Sequence, residues 1–336
     1  MVLQRFIENR ERAHHARDNN RQSLPFEWGL EHLGLPRAAD EEASLRDYAD
    51  WALANSDAFY AYEPTNQYDF DGHLLKFPSY VETPYRNNNT VYGRFFEASK
   101  DLALVVLPQW NCKWDGQVGL CRMLQHAGIG ALRLSMPYHH HRKPAEIERS
   151  EYLISPNLGR TLTAARQAVT DARRAADWLI ERGHRRVGLI GTSIGSCIAF
   201  LTLAHDERFS TGVFIHVSSY YADVVWNGLS TSHVRKTLES SIDLDRLRRL
   251  WEPISPFPYI KKLKPKVRPM LMLSGRYDLT FPVKFTQQGY DELDRLSIPI
   301  RKEWLLCGHY TMGKFPFQAI AGLKIRKFLV GQKSSE

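Results

Sequence analysis

Residues 185–200 read RRVGLIGTSIGSCIAF. A strand-like run passes into Gly191-Thr192-Ser193-Ile194-Gly195 and on into a helical pattern, with no polar loop between them. This is G-x-S-x-G between a strand and a helix, the setting in which a serine stands on a sharp turn as a nucleophile. Only small residues fit two positions either side of the serine. The turn lifts the Ser193 hydroxyl to the end of its strand and the start of the following helix. There the Ile194 backbone N–H faces the place where an oxyanion would form. A glycine-rich turn that merely packs a helix on a strand has the same pentapeptide; the flanking strand and helix favour the nucleophile.

A serine hydroxyl needs a base to take its proton, and the base needs a third group to orient it. On this kind of turn the partners follow in the chain order acid, then histidine, past later strands. MLMLSGRYDLTFPV puts Asp278 just beyond a strand, and EWLLCGHYTMG puts His309 just beyond the last one. Asp223, in VSSYYADVVW, follows an earlier strand and is a rival acid, although its surroundings favour a structural or substrate-facing role. A second oxyanion donor is expected from the loop VVLPQWNC. Pro108-Gln109 stand there in place of the common His-Gly pattern, so Trp110 is the expected backbone donor, with Gln109 next. A backbone N–H is indifferent to its side chain, so the chemistry can survive the departure, while the choice between Trp110 and Gln109 stays open.

MPYHHHRKP, at 136–144, places three histidines in a row. Adjacent residues of an extended chain point to alternate sides and no carboxylate has ligand spacing, so no metal is expected. The stretch follows a strand ending near Leu134, at the same edge as Ser193. Tyr138, His139 and Arg142 are therefore candidates to line the pocket entrance, with simple loop packing as the alternative. Tyr220, Tyr221, Trp226, Trp251, Phe257 and Tyr259 offer either an apolar acyl or alcohol pocket or ordinary packing. DFDG, at 69–72, lacks the later ligands of a calcium loop. H-E-x-x-H, a P-loop and G-x-G-x-x-G are absent, so no cofactor is expected.

The elements that must hold these residues alternate along most of the chain. Residues 40–58 have helical spacing, with Leu45, Tyr48, Trp51 and Ala52 on one face. They belong to a helical N-terminal extension, 1–66. From 67 the period becomes strand-like: YDFDGHLLKFPSYVET with an Asp71-Gly72 turn, then 90–99 and 102–110, which suggest a meander. Helix and strand then alternate: helix 116–128, strand 129–136, helix 159–183, strand 185–191, helix 195–206 and strand 211–219. Strands at 268–275 and 300–308 and a helix at 314–330 complete the pattern. The expected fold class is α/β, with a mostly parallel central sheet, an antiparallel edge and helices on both faces. The core falls into two parts, 67–219 and 267–336. Residues 220–266, with IDLDRLRRLW and a proline-rich tract, read as a lid inserted over the C-terminal edge of the sheet.

The 336 residues, 43% hydrophobic and 12% aromatic, suffice for a large core. The longest apolar stretches, such as 102–108, have strand length, so no membrane span is expected. Residues 1–20 lack the apolar core of a signal peptide. The four cysteines, Cys112, Cys121, Cys197 and Cys307, form no C-x-x-C pair, which fits free thiols in the cytoplasm. The formal charge of +8 is spread through mixed runs such as DLDRLRRL, a solvated surface rather than a nucleic-acid footprint.

With Ser193, Asp278 and His309 at strand ends in this order, residues 67–330 resemble the α/β-hydrolase superfamily. AGIGALRLSMPYHHHRKP, the long helix after it and GTSIGS are similar to the family around alpha/beta hydrolase domain-containing protein 18. Dienelactone-hydrolase-like and acetyl-esterase-like branches are similar too. The resemblance implies serine-dependent acyl transfer to water, with a small-molecule carboxylic ester as substrate. Acyltransferases and peptidases use the same three residues, and a non-catalytic ligand-binding protein on the same fold is the reading from a different class.

Overall fold

The computed structural model describes residues 2–18 and 20–332. Helices α1 (Val2–Arg17), α2 (Glu41–Ala54) and α3 (Ser56–Phe59) precede strands β1 (Asp69–Phe70), β2 (Leu74–Pro78), β3 (Thr90–Phe96) and β4 (Leu102–Leu107). Then come α4 (Val118–His126), β5 (Gly130–Leu134), α5 (Leu158–Glu181), β6 (Arg186–Thr192), α6 (Ile194–His205) and β7 (Phe209–Ile215). Helices α7 (Tyr221–Asn227), α8 (Ser232–Leu238) and α9 (Leu244–Leu250) separate β7 from β8 (Met270–Gly275). The chain continues through α10 (Val283–Arg295), β9 (Arg301–Leu305), α11 (His309–Met312) and α12 (Phe317–Gly331).

The strands form one sheet in the order β1-β2-β3-β5-β4-β6-β7-β8-β9. From β5 to β9 all neighbours are parallel, and β1, β2, β3 and β5 pair antiparallel. The expected α/β sheet with an antiparallel edge is present, but the meander stops at β3. The chain crosses over the site later taken by β5 and lays β4 parallel to β6. The reason is burial: every residue of LALVVL in β4 is buried, which suits a central parallel strand covered on both faces.

Helix α5 is buried along most of its 24 residues because a second layer lies over it. Asn157 caps it, accepting from Arg160 N at 2.8 Å, and donates to Glu27 at 2.8 Å. Thr163 donates to the His32 carbonyl, and Tyr68 donates to that of Arg174. The segment before β1 thus wraps the sheet's helical layer. In α2, Leu45 and Ala52 are buried as expected, while Trp51 is 46% exposed. Among the described residues no helix is long and apolar enough to cross a membrane.

Candidate active site

Strands β6, β8 and β9 end at the same edge of the sheet. The turn after β6 holds Ser193 at φ 58° and ψ −126°, a conformation rare for a residue with a side chain, with a cost of order 1–3 kcal/mol. Its surroundings fix it there. Ser193 N donates to the Ile215 carbonyl at 2.8 Å, and the Ser196 hydroxyl lies 2.6 Å from the Ser193 carbonyl and 2.7 Å from that of His216. The two glycines are needed for contact. A Cβ on Gly191 would sit 2.1 Å from the Gly195 oxygen, and one on Gly195 would sit 2.2 Å from the Leu107 oxygen.

Ser193 Oγ lies 2.9 Å from His309 Nε2, and His309 Nδ1 lies 2.9 Å from Asp278 Oδ2. The other carboxylate oxygen of Asp278 accepts from Thr280 N at 2.8 Å and Phe281 N at 2.7 Å. Burial by itself would raise the Asp278 pKa, but the His309 and His216 imidazoles outweigh it and hold the acid well below the usual carboxylate range. An ionised Asp278 only accepts, so His309 Nδ1 carries a proton and donates it. His309 Nε2 is then left to accept from the Ser193 hydroxyl. The Phe281 ring stacks on the imidazole, with centroids 5.0 Å apart.

A cavity of about 900 Å³ opens over Ser193. Ile194, Trp110 and Gln109 line it, on the two segments from which the oxyanion donors were expected. Of the expected pocket aromatics, Tyr221 lines it. Tyr220 instead packs on Phe257, and Trp226 lies under Arg235. Leu120, Met123, Ala321 and Ile325, from α4 and α12, supply an apolar wall that no sequence motif announced.

The expectation for Tyr138, His139 and Arg142 is corrected: all three are fully buried behind the site. Tyr138 packs between Tyr85 and Tyr152. Arg142 pairs with Asp171 at 2.9 Å and donates to the carbonyls of Asn88 and Ser135. His139 donates from Nδ1 to the Pro137 carbonyl at 2.8 Å and accepts the Asn111 N–H on Nε2 at 2.9 Å. Burial pushes its pKa down to about 3, so it stays neutral and can accept. It thereby braces the 109–111 loop that carries Trp110. His140 donates to the Cys112 carbonyl and packs on Trp114, and His141 packs on Tyr92 and the same Trp114. Asp223, the rival acid, accepts from Arg248 Nη2 at 2.8 Å and Nε at 3.1 Å.

No family model and no curated protein sequence matches the chain. Solved structures do. An acetyl xylan esterase from Paenibacillus sp. R4 superposes with TM-score 0.59 at 14% identity, over 85% of this chain and 98% of that one. An esterase of Pyrococcus furiosus gives 0.53 at 14% identity, over 80% and 93%. The Pyrococcus horikoshii acylaminoacyl peptidase gives 0.55 at 14% identity, over 80% of this chain and 41% of that one. The fold is the α/β-hydrolase fold.

Two features of this α/β-hydrolase fold escaped the sequence reading. His216, the residue after β7, is buried against His309 with ring centroids 4.4 Å apart, and its Nδ1 lies 2.8 Å from the same Asp278 oxygen. That contact is close but lies off the line of a good hydrogen bond. Burial, and the charge on His309 when protonated, lower the His216 pKa, so it favours the neutral form. FIHVSS places His216 at a strand end beside the elbow, which is the signal that was available. His216, Asp278 and His309 also form the group with metal-ligand potential among the described residues, its atoms within 4.8 Å of one another. The carboxylate shared by two imidazoles accounts for that closeness. The second feature is α1, whose His14 and Arg17 line the cavity together with Asp18 just beyond it.

Proposed function

We propose that the protein is a serine hydrolase that cleaves a carboxylic ester through an acyl-enzyme on Ser193. The observation that carries this reading is the unbroken chain from Ser193 Oγ to His309 to Asp278, with both links at 2.9 Å. His309 Nε2 takes the hydroxyl proton as Ser193 Oγ attacks the ester carbonyl. The tetrahedral oxyanion is met by the N–H groups of Ile194 and Trp110, with Gln109 the alternative second donor. Asp278 keeps the imidazole in the Nδ1–H tautomer and balances its charge once it is protonated. His309 returns the proton to the leaving alcohol, then activates a water that releases the acid and frees Ser193.

The wall built by Leu120, Met123, Ala321 and Ile325 supports a substrate with an apolar acyl or alcohol group. Solved structures with this fold include esterases and an acylaminoacyl peptidase, so an acylated peptide is the second substrate class to try. The test is labelling by a fluorophosphonate, beside Ser193→Ala and His309→Ala, with p-nitrophenyl esters of increasing chain length. Labelling and turnover in the wild type, lost in both variants, is the expected result. Folded wild type that neither labels nor turns over any ester refutes the reading and leaves a ligand-binding protein.

A further inference from the structure

Helix α1, VLQRFIENRERAHHAR, is polar and mostly exposed; Ile7 and Glu11 are its buried residues. Glu11 is 0% exposed. Among the described residues it forms no ion pair, so a cation does not offset the removal of its carboxylate from water. What it meets is backbone. Glu11 Oε2 accepts from Tyr310 N and Oε1 from Thr311 N, each at 2.9 Å. These are the two N–H groups that follow His309 at the start of α11, donors that a helix cannot satisfy internally.

The neighbouring residues are built around this approach. A Cβ on Gly308 would lie 2.4 Å from the Glu11 carboxyl carbon, so glycine is what lets the carboxylate reach the turn. Helix α11 has four residues, too few to be stable alone. One turn further along α1, the His14 ring stacks on Tyr310 at 6.1 Å, and just beyond the helix Asp18 pairs with Arg149 at 2.7 Å across the cavity rim.

We propose that Glu11 is the positioning residue for His309, and that α1 is therefore a working part of the site. The proposal rests on the serine-hydrolase reading above. His309 must hold Ser193 and Asp278 at once, from a single turn just beyond β9. The two charge-assisted bonds from Glu11 clamp that turn from outside the sheet. Without them the backbone at 309–311 is free to tilt and the Nε2–Oγ contact lengthens.

The test uses the full-length protein with Glu11→Gln and Gly308→Ala. The first removes the charge and sets an amide donor against a backbone donor; the second displaces an intact Glu11. Glu8→Gln, at a partly exposed position on the same helix whose carboxylate accepts from Gln4 at 2.8 Å, is the control. The readouts are the fluorophosphonate labelling rate, kcat and KM for a short-chain ester, and hydrogen exchange in the 305–315 segment. Both variants are expected to remain folded, exchange faster at 310 and 311, and label about 10–100-fold more slowly, with the loss in kcat rather than KM. Unchanged exchange in both variants, or faster exchange with labelling at the wild-type rate, overturns the proposal. Wild type that does not label refutes the hydrolase reading instead, and exchange still reports whether Glu11 holds the turn.

Discussion

Gly195→Ala probes how closely the elbow must approach the loop after β4. The added methyl would lie 2.2 Å from the Leu107 oxygen and 2.6 Å from the Pro108 oxygen. Side-chain carbons essentially never come within 3.0 Å of such atoms, so α6 and the 107–110 loop must part by about 0.8 Å. Both obstacles are backbone, which cannot swing aside as a long side chain would. The separation widens the gap between Ile194 N–H and Trp110 N–H, the two donors proposed to share the oxyanion. A misplacement of about 1 Å costs about a hundredfold in rate, and a hundredfold is about 2.7 kcal/mol of barrier. The assay is kcat/KM on a short-chain p-nitrophenyl ester, with the fluorophosphonate labelling rate and a melting curve beside it. A folded Gly195→Ala protein that turns over ester at the wild-type rate refutes the argument. The loop would then be yielding freely, or Trp110 would not be a donor.

Asp278→Asn is expected to lower kcat by about 10³–10⁴, because the amide favours the wrong tautomer of His309. Asp223→Asn, which loses only its hold on Arg248, should leave kcat near wild type; the reverse pattern in steady-state kinetics would make Asp223 the working acid. Acid sensitivity follows from His139. Its folded-state pKa is lowered from 6.5 to about 3, so its contribution to stability is full above 6.5 and is lost as pH falls from there towards 3, while the unfolded chain takes up the proton. Urea midpoints should therefore drop between about pH 7.5 and pH 5, and His139→Asn should flatten that drop while lowering the midpoint at neutral pH. A pH dependence identical to wild type would show that His139 is not buried in its neutral form. Met123→Phe should narrow the apolar wall and shift the ester chain-length optimum downward; an unchanged optimum would place the acyl group elsewhere in the cavity.

Much of the site was legible because the chemistry is local or ordered along the chain. A tight turn requires small residues on both sides of Ser193, and that constraint is written in five consecutive positions. Asp278 and His309 could be named because parallel strands deliver their ends to one edge, so strand-end residues far apart in sequence converge. The alternation of strand and helix carried the fold class for the same reason. The place of β4 was not legible: its burial on both faces determines its neighbours, and a run of six apolar residues does not say which strands flank it.

Other roles were decided only by packing. Tyr138, His139 and Arg142 were candidates for the pocket entrance with loop packing as the alternative, and the backbone after β5 turns inward and buries all three. His216 has no motif, and it matters because β7 lies next to β6 and beside β8, whose ends carry Ser193 and Asp278. Glu11 is one acid in a polar helix, with no motif around it. It meets the backbone beyond His309 across 299 residues of chain, a contact made by docking and not by any local pattern. The sequence by itself determined the candidate nucleophile, its candidate partners and the class of sheet, because turn sterics and strand order are properties of the chain. Only the tertiary structure decided which groups brace them, because a buried polar group takes whatever donor or acceptor the fold brings within reach.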